Sequence, residues 1–243
     1  MIETLVALFA AHVAADYILQ NSDMAANKDK PGPLFLHGTV VWATSFTATG
    51  SIEWPIVLLA VLHTVTDWIK ANRAKTVSAH LLDQAAHLIT LTAIAYLFPH
   101  LWANGHWAKA PNWVLHAALL VSGAVYATRA GGFAVSELMR NYDLRPSPAG
   151  LQNAGQTIGT LERALIYLLM LSDMATGIGF LIAAKSVLRF ETGKDTSPDE
   201  FRKHSEYVII GTLASYSWAI AASLLIILLR SQLPDLGIAL SAI

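Results

Sequence analysis

Apolar positions along this chain gather into long runs separated by short polar segments. The runs lie near 3–20, 35–50, 54–70, 79–98, 112–128, 156–172, 174–190 and 206–229. A helix needs about 20 mostly apolar residues to cross a bilayer. The pattern therefore predicts an all-α integral membrane protein of about eight transmembrane helices. The runs 156–172 and 174–190 are joined only by the turn Ser172-Asp173, and the last run, 234–243, is too short to cross and is expected at the interface. The first run carries His12 and Asp16 and has no basic segment before it, so it reads as a retained helix rather than a cleaved signal peptide.

Composition agrees with this pattern. The 243 residues are 54% hydrophobic and 14% charged, with a mean hydropathy of +0.47; soluble domains carry roughly 25% charged residues. The net charge of −1 argues against a nucleic-acid partner. The absence of cysteine excludes disulfides and thiolate metal sites.

The basic residues set an expected orientation. Fourteen of the 16 Lys and Arg fall after helices 1, 3, 5 and 7, leaving only Lys109 and Arg230 on the other side. The positive-inside rule then puts the four basic loops in the cytoplasm and both termini in the periplasm. The outer loop 97–113, with Phe98, Trp102, Trp107 and Trp113, reads as an aromatic interfacial belt.

Within the first four helices a pattern recurs. His12-x3-Asp16-Tyr17-Ile18 aligns with His63-x3-Asp67-Trp68-Ile69 at an offset of 51 residues, and His37 and His87 follow at an offset of 50. The N-terminal half is thus expected to be a duplicated helical hairpin, a parallel repeat about an axis along the membrane normal. Residues four apart share a helix face, as do His12/Asp16, His63/Asp67 and Asp83/His87. The topology puts seven candidate ligands in one slab near the cytoplasmic side: His12, His37, His63, His87, Asp16, Asp67 and Asp83. A buried carboxylate in a membrane costs a few kcal/mol unless paired or ligating, which makes function the default reading. Imidazole with carboxylate suits zinc and, with more oxygen, iron or manganese. The competing reading is inter-helix hydrogen bonding without metal. Gln20, Thr66, Gln84 and Thr90 are expected as supporting or packing partners, His80 as an interfacial residue, and His100, His106 and His116 as outer-side surface or packing residues.

A second polar set lies in the C-terminal half, where Arg163, Lys185 and Arg189 could hold an anionic headgroup. Alternatively Lys185 and Arg189 snorkel, with Glu162 and Glu206 as partners. The expected organisation is 1–128 for helices 1 to 5, a cytoplasmic connection at 129–155, and 156–243 for helices 6 to 8. Phe133–Arg140 in the connection could be a short amphipathic helix on the membrane surface.

At these residues the chain resembles a widespread bacterial multi-pass membrane family known only as a domain of unknown function. The resemblance rests on His12-x3-Asp16-x3-Gln20 with Lys28, His37, His63-x3-Asp67 and Leu82-Asp83-Gln84-x2-His87. Further on it rests on Leu161-Glu162-Arg163, Gly179–Ser186 with Arg189-Phe190, and Glu206-Tyr207 with Gly211-Thr212-Leu213 and Ser215. It implies a bacterial inner membrane and carries no activity. A looser similarity, in chemistry alone, is to intramembrane zinc hydrolases such as the alkaline ceramidases, whose motif order differs.

Three functions are expected to compete. One is a metal-dependent intramembrane hydrolase acting on a lipid or membrane-embedded substrate from the cytoplasmic leaflet, with Asp16, Asp67 or Asp83 as ligand and general base. Another is a divalent-cation or proton-coupled transporter. The third is a non-catalytic scaffold. Membrane lipids are the expected partners, and the sequence leaves a homodimer open.

Overall fold

In a computed structural model, residues 1–73, 76–140, 142, 153–190 and 198–236 are described. Among them the secondary structure is entirely helical: α1 (Ile2–Ala14), α2 (Ser22–Ala26), α3 (Pro31–Thr49), α4 (Trp54–Ala71), α5 (Val77–Leu97), α6 (Trp113–Val125), α7 (Gly131–Met139), α8 (Ala154–Leu171), α9 (Gly177–Phe190) and α10 (Pro198–Ser231). All eight expected runs are helical. Three helices are both long and apolar enough to cross a membrane, at Ile2–Leu19, Trp113–Met139 and Asp199–Ser231. The chain divides into two compact units, Met1–Val125 with Ile226–Ile243, and Tyr126–Leu225.

Local chemistry fixes the ends of the site-bearing helices. Pro31 opens α3 at the first helical position, where a missing N–H is harmless. The Asn21 side chain accepts from the Met24 N–H to cap α2, and Thr76 caps α5 by accepting from the Ala79 N–H. Gly50 ends α3 in the left-handed region at φ +65, and its carbonyl accepts from the His106 N–H. A Cβ there would meet that nitrogen at 2.7 Å, so glycine is required twice over.

In the first unit α1 is the axis. It is apolar on all sides and packs against α3, α5 and α6, while α4 packs on α3 and α5. Leu8, Ile56, Leu59, Leu91, Ile94 and Leu101 form one buried apolar cluster. Leu8, Leu59 and Leu91 each stand one helical turn from His12, His63 and His87, so this layer floors the histidine layer on one side.

Two interruptions shape the helices. Ala15–Leu19 continues α1 as a single π turn, and Tyr126–Ala130 joins α6 to α7 the same way. The helix begun at Trp113 runs on through Gly131-Gly132 to Met139, so Phe133–Met139 continues it. The two glycines serve close packing within the second unit. A Cβ on Gly131 would lie 2.5 Å from Trp218 and 2.8 Å from Arg163. The second π turn offers carbonyls sideways: Trp218 Nε1 donates to Tyr126 O and Arg163 Nε to Thr128 O, both at 3.0 Å. Most of the remaining connection, including Asn141, Arg145, Pro146 and Pro148, and the end of the chain from residue 237, lie outside the described residues.

Candidate metal centre

All seven expected ligands meet in the first unit, each buried. His12 comes from α1, Asp16 from its π turn, His37 from α3, His63 and Asp67 from α4, and Asp83 and His87 from α5. The paired motifs differ locally: His63 and Asp67 ride a regular helix, whereas the π turn re-aims Asp16. Such turns recur at functional sites.

Four atoms converge closely. His37 Nε2 lies 3.2 Å from His63 Nε2, 3.4 Å from Asp16 Oδ1 and 3.2 Å from Asp67 Oδ2. His63 Nε2 lies 3.2 Å from Asp16 Oδ1 and 3.4 Å from Asp67 Oδ2. The donor atoms thus form two triangles that share the His37–His63 edge, one closed by Asp16 and one by Asp67. Each Nε2 carries at most one hydrogen, so each imidazole can donate to only one of the two carboxylate oxygens it faces.

Gly38 makes the convergence sterically feasible. A Cβ on Gly38 would collide with Thr64 Oγ1. Thr64 is held in place by donating to Ala60 O at 2.7 Å. Glycine there lets α3 and α4 approach at the level where His37 and His63 meet.

The other three ligands adjoin this set. His87 Nε2 is 3.4 Å from Asp83 Oδ1 and 3.7 Å from Asp67 Oδ1, and the His87 ring stacks on His63 at 3.9 Å between centroids. His12 packs against both rings, with Nδ1 3.8 Å from Asp16 Oδ2. The trios His12/Asp16/His63, His37/His63/Asp67 and Asp67/Asp83/His87 could each hold a metal ion.

Two lysines complete the centre, and neither stood out as a site residue in the sequence. Lys28 Nζ donates to Asp67 Oδ1 at 2.8 Å, and Lys70 Nζ donates to Asp83 Oδ2 at 2.6 Å. Lys28 could have been found, since it belongs to the motif set of the family resemblance. Gln84 supports Asp83 through Nε2 at 3.2 Å and accepts from Tyr17 OH at 2.7 Å. Gln20 Oε1 is buried beside them without a partner. Thr66 and Thr90 instead donate to carbonyls one turn back on their own helices. His80, expected at the interface, is 8% exposed, with Nδ1 facing Lys70 Nζ at 3.4 Å. His100 and His106 are exposed, whereas His116 is buried with Nε2 3.0 Å from Pro234 O.

The second unit brings Lys185 to Glu162 Oε2 at 2.8 Å, above the Tyr216 ring. Arg163 is buried and donates to Thr128 O, Ser215 Oγ and Thr160 Oγ1. Glu206 pairs with Arg202. The side chain of Arg189 lies outside the described residues.

A family model described as a protein of unknown function (DUF3307) matches residues 4–116. That segment contains all seven clustered residues and both lysines, and it ends before the second-half motifs beginning at Leu161. No curated protein matches the chain, and no solved structure does.

Proposed function

We propose that the chain is a multi-pass inner-membrane protein whose first unit binds zinc and hydrolyses a lipid or other membrane-embedded substrate from the cytoplasmic leaflet. The observation that carries this reading is the buried meeting of His37 Nε2 and His63 Nε2 with Asp16 Oδ1 and Asp67 Oδ2 at 3.2–3.4 Å, within which His37, His63 and Asp67 form a trio able to hold a metal ion. Imidazole with carboxylate is a zinc ligand set. The membrane setting is supported by the three long apolar helices and by the outward-facing Phe35, Leu82, Ile89, Tyr96, Leu161 and Phe180, each more than 60% exposed. A water-soluble monomer rarely leaves so much apolar surface uncovered.

His37, His63 and Asp67 would be the lasting ligands. Asp16 is the most exposed of the four, at 8% against 2% or less, and stands on the π turn, so it is the ligand that yields its place to water. Zinc held there would lower the pKa of a bound water to about 7. Asp16 would accept the proton of the attacking water and return it to the leaving group. Against transport stands the apolar layer of Leu8, Leu59 and Leu91, packed one turn beyond the histidines. On the topology set by the basic loops, that layer faces the periplasm.

The test uses full-length protein in detergent and in lipid vesicles. One zinc per chain is expected by elemental analysis, lost in His37→Ala and in His63→Ala, together with hydrolysis of vesicle lipids followed by mass spectrometry. Zinc that survives both substitutions overturns the site. Metal flux into vesicles without hydrolysis overturns the enzyme in favour of the transporter.

A further inference from the structure

We infer that a second divalent cation binds beside the first, between Asp67 Oδ1, Asp83 Oδ1 and His87 Nε2, with Asp67 bridging the two ions, and that the centre takes a phosphoester. The inference rests on the zinc reading above and deepens it. Asp67 presents its two oxygens in different directions. Oδ2 faces His37 and His63, while Oδ1 faces His87 Nε2 at 3.7 Å. Asp83 Oδ1, at 3.4 Å from the same nitrogen, completes a group able to hold an ion. His87 is only 1% exposed, and the groups its Nε2 faces are the two carboxylates that would share the ion with it.

Three protein ligands leave coordination positions free, as in catalytic sites. Two ions sharing a carboxylate clamp the attacking and departing oxygens of a phosphoryl group. Lys28 gives the second site its character. Its ammonium sits on Asp67 Oδ1, the bridging atom, from the segment between α2 and α3. A cation arriving there must displace it, so the second ion is the weaker and exchangeable one.

Manganese(II) tests this directly, because two ions sharing a carboxylate give an exchange-coupled electron paramagnetic resonance spectrum. Full-length protein titrated with manganese(II) should take up two ions per chain and show that spectrum. Asp83→Asn and His87→Ala should each retain one uncoupled ion. Lys28→Gln, outside the ligand set, should tighten the second site at least 10-fold, and an unchanged affinity overturns the bridging geometry. One ion at saturation, lost in His37→Ala, overturns this inference and leaves the zinc reading standing. No uptake at all sinks both. A lipid phosphoester and a soluble one share the chemistry. Turnover of phosphatidylglycerol vesicles against p-nitrophenyl phosphate separates them, and turnover of neither overturns the substrate class.

Discussion

Gly38→Ala tests the centre without touching a ligand. The new methyl would face Thr64 Oγ1, while Thr64 Cβ and Cγ2 lie at an ordinary 3.6 Å. The gap to Oγ1 is short of van der Waals contact by about 1 Å, and overpacking of this kind costs about 1–3 kcal/mol. Alanine's better helix propensity returns about 1 kcal/mol of that, so the protein should still fold. The centre should not tolerate the change. Moving α3 away from α4 by about 1 Å takes His37 Nε2 out of ligand range, since ligand distances hold only within about 0.2 Å. Zinc affinity, read by competition with a chromophoric chelator, should fall at least 10-fold. Thr64→Ala removes Oγ1, so Gly38→Ala with Thr64→Ala should restore affinity to within a few-fold of wild type. Wild-type affinity in Gly38→Ala alone would refute the reasoning, as would a double variant no better than the single one.

Three further outcomes are expected. His63→Ala should cost more zinc affinity than His12→Ala, because His12 Nδ1 stands 3.8 Å from Asp16 Oδ2, and exposed His106→Ala should change nothing; equal losses at 12 and 63 would make His12 a ligand. Acidification should release the metal, since imidazole must be neutral to bind: affinity is retained above about pH 6.5, the ordinary imidazole pKa, and falls at least 10-fold per unit below it. A flat profile between pH 7 and 5 contradicts histidine ligation. Reporter fusions at Asn27 and Asn72 should read cytoplasm and those at Ser51 and Asn104 periplasm; a periplasmic reading at Asn72 reverses the orientation.

The sequence displayed the helices and ligand types because both rest on contrast. A carboxylate inside an apolar run, as at Asp16 or Asp67, is conspicuous whatever surrounds it. Features that depend on what faces a residue were not legible. The four-spacing of His12/Asp16 matches that of His63/Asp67, yet a π turn aims one carboxylate differently, and periodicity cannot register one inserted residue. Local propensity at Gly131-Gly132 does not reveal that Trp218 and Arg163 need the missing side chains. Lys70 counted toward orientation alone and Lys28 toward orientation and the family resemblance, since nothing local reveals that their ammonium groups fold back onto Asp67 and Asp83. His80 lies one turn from the helix start, where exposure is the simple expectation, and the approach of Lys70 buries it.

The two lysines also make the centre a balance of charge. Three aspartates and two ammonium groups, with neutral imidazoles, leave one negative charge in surroundings that penalise any net charge. A single divalent ion overshoots to one positive charge, and hydroxide in place of water restores neutrality. Ionising the bound water is thus the step that discharges the cavity, and burial itself pushes the nucleophile toward its reactive form. With two divalent ions and Lys28 displaced the excess is two positive charges, which one hydroxide and a singly charged phosphodiester cancel together. The pocket would then admit its substrate and its nucleophile as a matched pair of anions and repel either as a lone excess. Neutralising Lys70 alone would shift that balance by one unit and favour a substrate carrying one negative charge fewer.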